Sequence, residues 1–128
     1  QMERELAHHL LAMHSGRLGA FVEGYRFVLR YRPGDRGELR RRFDEVIDCL
    51  RALEDEFRRP VLPRQLMADL NQLLMGGILA MGREGAVPEV RVFTEILAET
   101  VTALLENNSR PFEAYDRYQE NYSDRLSP

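Results

Sequence analysis

Glu45, Asp48 and Asp55 share one stripe of a helical pattern, and Glu95, Glu99 and Glu106 recur at helical spacing further along the chain. Carboxylates on neighbouring helices can share a divalent cation and hold a phosphate against it. A magnesium-dependent all-α nucleotide hydrolase is therefore one reading, with Glu45, Asp48, Glu95 and Glu99 as its acidic set. That chemistry needs a dense acidic constellation on both helices. Arg41, Arg51 and Arg58 interrupt the first stripe, so a solvated charged face is the simpler expectation.

His8, His9 and His14 are the other natural metal ligands. Two ligands on one helical face must be three or four residues apart. His8 and His14 are six apart and His9 and His14 five, so only Glu5 with His9 fits. No metal site is expected. Gly77 and Gly82 have the spacing of a phosphate loop, but Arg83 and Glu84 follow in place of Lys and Ser or Thr. Without that Lys and hydroxyl the loop cannot hold a nucleotide and its magnesium. All 18 basic residues are Arg, which also removes Lys Schiff-base chemistry. No Ser is marked as an activated nucleophile. Cys49 is the single cysteine; it allows no intrachain disulfide and no Cys-based zinc site, and its apolar setting suits a small core residue. No catalytic residue and no cofactor is expected.

Charge is segregated along the chain. Residues 26–42 carry Arg26, Arg30, Arg32, Arg36, Arg40, Arg41 and Arg42 against Asp35 and Glu38, a local balance of +5. A basic run can contact nucleic acid, but no recognition-helix or aromatic signature accompanies it and acids resume at Asp44. Nucleic acid is not the expected partner. Residues 84–128 carry nine acids and four Arg, a balance of −5. Within them Phe112, Tyr115, Tyr118 and Tyr122 line one side of a helical pattern, beside Asp116, Glu120 and Asp124. One reading is a capping helix that buries its aromatics. The other is a partner surface, since Tyr is favoured at interfaces and acids steer basic partners. On the second reading the contact set is Glu84, Glu89, Tyr115, Asp116, Tyr118, Glu120 and Tyr122.

The elements that must position these residues are helical almost throughout. Ala7, Leu11, His14, Leu18, Phe21, Tyr25 and Val28 form a seam at alternating spacings of three and four, with Gly16 and Gly19 as points of bend or break. Pro33 stops that pattern, and Asp35 with Glu38 reads as a capping box for the next helix. Its seam is Leu39, Phe43, Val46, Leu50, Leu53 and Phe57, with Arg40–Asp44 and Glu54–Arg58 pairs four apart on its flanks. After "RRPVLP" a third helix carries Leu66, Met67, Leu70, Leu73, Leu74, Ile78 and Met81. So wide an apolar arc predicts the central, most buried helix. Gly76 and Gly77 would let a neighbour approach, and Gly82 or Gly85 would end the helix in a left-handed conformation. Pro88 suits the first turn of a fourth helix bearing Val90, Phe93, Ile96, Leu97, Val101, Leu104 and Leu105. Asn107 and Asn108 can end it, and Ser109 and Pro111 can open a fifth. The closing "SDRLSP" should fray.

The expectation is one all-α domain over residues 1–128, a four-helix bundle with a short fifth C-terminal helix. The chain has 128 residues, 44% of them hydrophobic and 30% charged, enough for one core. The uncharged run from Leu73 to Gly82 is far short of the ~20 residues a spanning helix needs, so no membrane partner is expected. The N-terminus shows no secretory pattern, and a reducing cytoplasmic setting follows.

The stretch "LLMGGILAMGREGAVPEV", residues 73–90, carries one further signal. An apolar helix with Gly77 and Ala80, then Arg83-Glu84, then Pro88-Glu89 opening the next helix, resembles small all-helical immunity proteins that neutralise toxins delivered by type VI secretion systems. That family has an aromatic and a second acid after Arg-Glu, where this chain has Gly85 and Ala86. The resemblance implies a single-domain, non-enzymatic protein that binds a cognate toxin domain, often over its active site. Joined to the acidic C-terminal third, it implies a basic, nucleotide-handling target. A homo-oligomeric helical adaptor is the remaining alternative, and the sequence leaves the oligomeric state open.

Overall fold

The computed structural model describes residues 2–19 and 23–126, with side chains as far as Asn121. Phe21 of the first apolar seam, the side chains of Tyr122 and Asp124, and the terminal Ser127 and Pro128 lie outside the described residues. Among the described residues seven helices run in the order α1 (Arg4–His14), α2 (Tyr25–Tyr31), α3 (Arg36–Ala52), α4 (Glu54–Phe57), α5 (Arg64–Met81), α6 (Pro88–Leu105) and α7 (Glu113–Leu126). There is no strand among the described residues, so the chain is all-α.

Two of the expected helices are divided. The first seam is α1 and α2, separated after His14. Gly16 and Gly19 take φ of +88° and +114°, a left-handed region that glycine enters without a Cβ clash. Gly24 then starts α2 directly against the end of α1. A Cβ there would lie 2.6 Å from the Met13 carbonyl oxygen and 2.7 Å from His14 Cα. The second seam is α3 and α4, divided at Leu53, which remains buried with φ −101° and ψ 5°. The Asp35 side chain accepts from Glu38 N–H at 3.1 Å, as the capping box requires. Pro88 opens α6, and Asn107 ends it with φ +55°. The expected left-handed end of α5 falls on Gly85 (φ +82°) in the following turn, while Gly82 keeps φ −88°. The fifth expected helix is α7, at 14 residues longer than the short cap its sequence suggested.

α3 is enclosed by α1, α2, α6 and α7, and α5 packs against α1, α2 and α6. An aromatic column crosses the centre. Phe43 of α3 stacks on Phe93 of α6 at 4.5 Å and 7°, Tyr25 of α2 lies 5.5 Å from Phe43, and Tyr118 of α7 meets Phe93 edge-on at 5.4 Å. Each large apolar side chain taken fully inside contributes about 1.5–3 kcal/mol. Cys49 is buried in the same core, and its thiol is pushed up to about 12, first by burial and then by Glu45 and Asp48.

The two central glycines of α5 face different neighbours. A Cβ on Gly77 would stand 2.1 Å from Thr94 Oγ1, so this glycine is what lets α6 come so close. A Cβ on Gly76 would stand 3.0 Å from the flexible stem of Arg26 on α2. α5 is not buried all round, contrary to the expectation from its apolar arc. Its inner face holds Leu66, Leu70, Leu73, Gly76, Gly77 and Ala80, while Met75, Ile78, Leu79 and Met81 remain exposed. No other described helix covers them.

Candidate functional site

Two polar junctions tie α1, α2, α3 and α5 together. His14, 0% exposed, ends α1. Its Nδ1 accepts from the Tyr25 N–H at 3.0 Å, and its Nε2 is 2.8 Å from Glu45 Oε1. Nδ1 therefore carries no proton and Nε2–H donates to the carboxylate. One imidazole thus caps the N-terminus of α2 and ties α1 to α3. Burial, opposed by the hydrogen bond and charge of Glu45, and aided by nearby Arg42, holds its pKa below the ordinary histidine value. At the second junction Asp69 of α5 is buried. It accepts from Arg17 Nε and Nη2 at 3.0 and 3.1 Å, from Ser15 Oγ at 3.2 Å and from Gln65 Nε2 at 3.2 Å. A buried carboxylate is tolerable only when hydrogen-bonded in this way. His8 adds a third tie, 2.6 Å from Glu56 Oε2.

These side chains carry structure, and the sequence marks them only faintly. His14 falls on the apolar seam, a position where a polar residue needs a partner, but nothing in the spacing points to Glu45 at 31 positions distance. Asp69 sits in an apolar helix and gives the same incomplete signal.

The four carboxylates of the hydrolase reading do not converge. Glu45 is held by His14, and Asp48 borders a cavity with Met2, Arg51 and Ala52. Glu95 and Glu99 line a separate cleft with Ala114, Arg117 and Tyr118 of α7. No three His, Cys, Asp or Glu side chains among the described residues are grouped to hold a metal ion. Burial, with Asp44 close by, pushes the Asp48 carboxyl above its usual range, an effect that Arg51 partly offsets.

The acidic, aromatic C-terminal segment buries its aromatics, as the capping-helix reading of its sequence has it. Tyr115 is 7% exposed and its hydroxyl donates to Asp44 Oδ1 at 2.8 Å. Burial and that carboxylate push its phenol well above the ordinary range. Tyr118 is half-buried, with the Arg40 guanidinium 5.5 Å from its ring centre. Asp116 meets Arg51 at 2.7 Å, and Glu89 meets Arg36 at 3.3 Å. Glu84 and Glu120 are exposed. The aromatics thus dock α7 onto α3 and α6, and the carboxylates are left outside.

Those outside carboxylates extend onto α6. Glu99, Glu106 and Glu120 are exposed and form no ion pair among the described residues, whereas Glu113 pairs with Arg117 at 3.1 Å and Glu95 with Arg91 at 3.8 Å. Two shallow hollows flank the first turn of α7. One, of 530 Å³, is bordered by Arg51, Glu54, Phe112, Asp116 and Glu120. The other, of 450 Å³, is bordered by Glu99, Thr102, Glu106 and Ala114. Arg110, Glu113 and Arg117 border both. Open, charged and shallow, this surface suits a macromolecular partner better than an enclosed small ligand. No described helix is long and apolar enough to cross a membrane. In comparisons with known proteins the chain matches no family model, no curated protein and no solved structure.

Proposed function

We propose that this chain is a binding protein of the immunity or antitoxin type, which seats on a cognate toxin domain in the cytoplasm and blocks its working cleft. The observation that carries the reading is the α6–α7 surface, where Glu99, Glu106 and Glu120 stand exposed and form no ion pair among the described residues. Unpaired carboxylates lose little internal energy when a partner engages them. They also speed encounter with a basic surface and fix its register. A domain that handles nucleotides or nucleic acid needs a basic cleft, and an acidic face fits over one. The sequence order of residues 73–90 adds the family resemblance.

Tyr115 belongs to the inner side of α7 and contributes by holding the acidic helix in place. Glu120 stands on the face itself, Tyr118 and Asp116 border it while engaged with Arg40 and Arg51, and Glu84 with Glu89 lies at the α5–α6 turn.

The test is direct. The product of the neighbouring gene is mixed with this chain and the complex measured by calorimetry. The expected result is a 1:1 complex, weakened at least tenfold by combining Glu99→Lys, Glu106→Lys and Glu120→Lys. Absence of a toxin-like neighbour and of any complex would remove the reading.

A further inference from the structure

The outer face of α5 carries a second surface with its own chemistry. Met75, Ile78 and Leu79 fall at helical spacing on the outer face of α5, with Met81 at its edge; Ile78 is 51% and Leu79 57% exposed. Exposed large apolar groups gathered on one face mark interaction sites more often than scattered ones do. Beside Met81 the ridge runs into a hollow of 390 Å³ bordered by Ala86, Val87, Pro88, Val90 and Arg91, large enough for one bulky apolar side chain.

The flank toward α2 is basic. Arg26 lies along Gly76 and donates to the Gln72 side chain, which places its guanidinium beside Met75 and Leu79 on the same helical face. Arg83 donates to the Arg30 carbonyl at 2.8 Å, and Arg30 lies 5.4 Å from the centre of the exposed Tyr31 ring. None of Arg26, Arg30 and Arg83 meets a carboxylate among the described residues. Within α5 itself the one acid is Asp69, buried and already bound by Arg17, and Glu84 follows Arg83 in the turn beyond the helix.

The geometry points to a docking site on α5 and α2 for an acidic amphipathic helix of a partner protein. Its apolar stripe lies on Met75, Ile78 and Leu79, one large side chain enters the hollow beside Met81, and its carboxylates meet Arg26, Arg30 and Arg83. Charge complementarity selects this occupant over a second copy. An antiparallel two-fold pairing through α5 faces the α2 flank of one copy with that of the other, arginine against arginine. The site is separate from the acidic α6–α7 face and does not depend on the toxin reading.

The experiment uses a fluorescent 20-residue helical peptide with leucines at i, i+3, i+4 and i+7 and glutamates on the flanks. Anisotropy is read with the full chain at low and high salt. Parallel arms use the same peptide with arginine flanks, and vesicles of phosphatidylcholine with and without phosphatidylserine. The expected result is saturable binding of the acidic peptide, weakened at least tenfold by Ile78→Glu with Leu79→Glu, and several-fold by Arg30→Glu or by added salt. Thermal melts of these variants should match the parent, since the changed groups are exposed. The proposal is overturned if the acidic peptide does not bind, if the basic peptide binds as well, or if the double variant binds unchanged. It is overturned equally if phosphatidylserine vesicles bind in place of the peptide, or if the chain dimerises through this face.

Discussion

α7 and the outer face of α5 carry comparable apolar material and use it in opposite ways. On α7, Tyr115 and Tyr118 are drawn inward because α3 and α6 leave a groove there, lined by Phe43, Phe93, Arg40 and Asp44. On α5, Ile78 and Leu79 stay outside because α1, α2 and α6 cover only the opposite side. An apolar or aromatic side chain is an interface candidate only when no neighbouring element reaches it, and helical periodicity alone does not say which elements do.

Substitutions that weigh the two regions against each other should rank accordingly. The largest loss of stability is expected for Tyr115→Ala, about 3–5 kcal/mol, read as a fall in urea midpoint. Tyr115→Phe should lose only about 1 kcal/mol, the hydrogen bond to Asp44. If Tyr115→Ala were neutral in stability and abolished partner binding, the inner, tyrosine-bearing side of α7 would be an interface after all.

Next is Gly77→Leu. Thr94 is β-branched and its hydroxyl is bound to the Val90 carbonyl at 2.7 Å, so it cannot yield, and overpacking of about 1–3 kcal/mol or more is expected. The lesson of the α5 comparison would fail if this variant melted at the parent temperature.

Acid acts through His14. Its pKa is lower in the folded protein than in the unfolded chain, so the unfolded state binds more protons between the two values. The stability is fully present above the ordinary histidine value of about 6.5 and is lost as pH falls below it, at up to about 1.4 kcal/mol per pH unit. The groups facing the ring are Glu45 and Arg42. Urea titrations from pH 7 to pH 5 should show this slope in the parent and a shallower one in His14→Gln, compared as slopes since the variant starts less stable.

The smallest effect on stability is expected for Leu79→Glu, within about 0.5 kcal/mol by thermal melt, since it alters an exposed position. A large loss would mean that α5 is covered in solution.

The all-α class was legible because apolar residues recur at three and four along nearly the whole chain. So were the starts of α3 and α6, which Asp35 and Pro88 mark by local chemistry. The break between α1 and α2 was only hinted at by Gly16 and Gly19, because Tyr25 and Val28 stay in register with the earlier seam across the gap. The break at Leu53 has no Gly or Pro to announce it. Of the candidate surface, the sequence placed acids and tyrosines on one segment, but the fold parts them: tyrosines inward, Glu120 outward. Glu99 and Glu106, which sequence reading weighed as metal ligands, emerge as the unpaired charges of that outer face. The His14 and Asp69 junctions join residues tens of positions apart, a relation that spacing within one helix cannot express.

The central proposal is that the acidic face of α6 and α7 covers a basic partner. The most direct measurement is calorimetric titration of the product of the neighbouring gene into the parent chain and into the Glu99→Lys, Glu106→Lys, Glu120→Lys variant, with melting temperatures recorded for both. The account predicts a 1:1 complex that weakens at least tenfold in the variant while the melting temperature holds. A complex of unchanged affinity, or none with the parent, would contradict it.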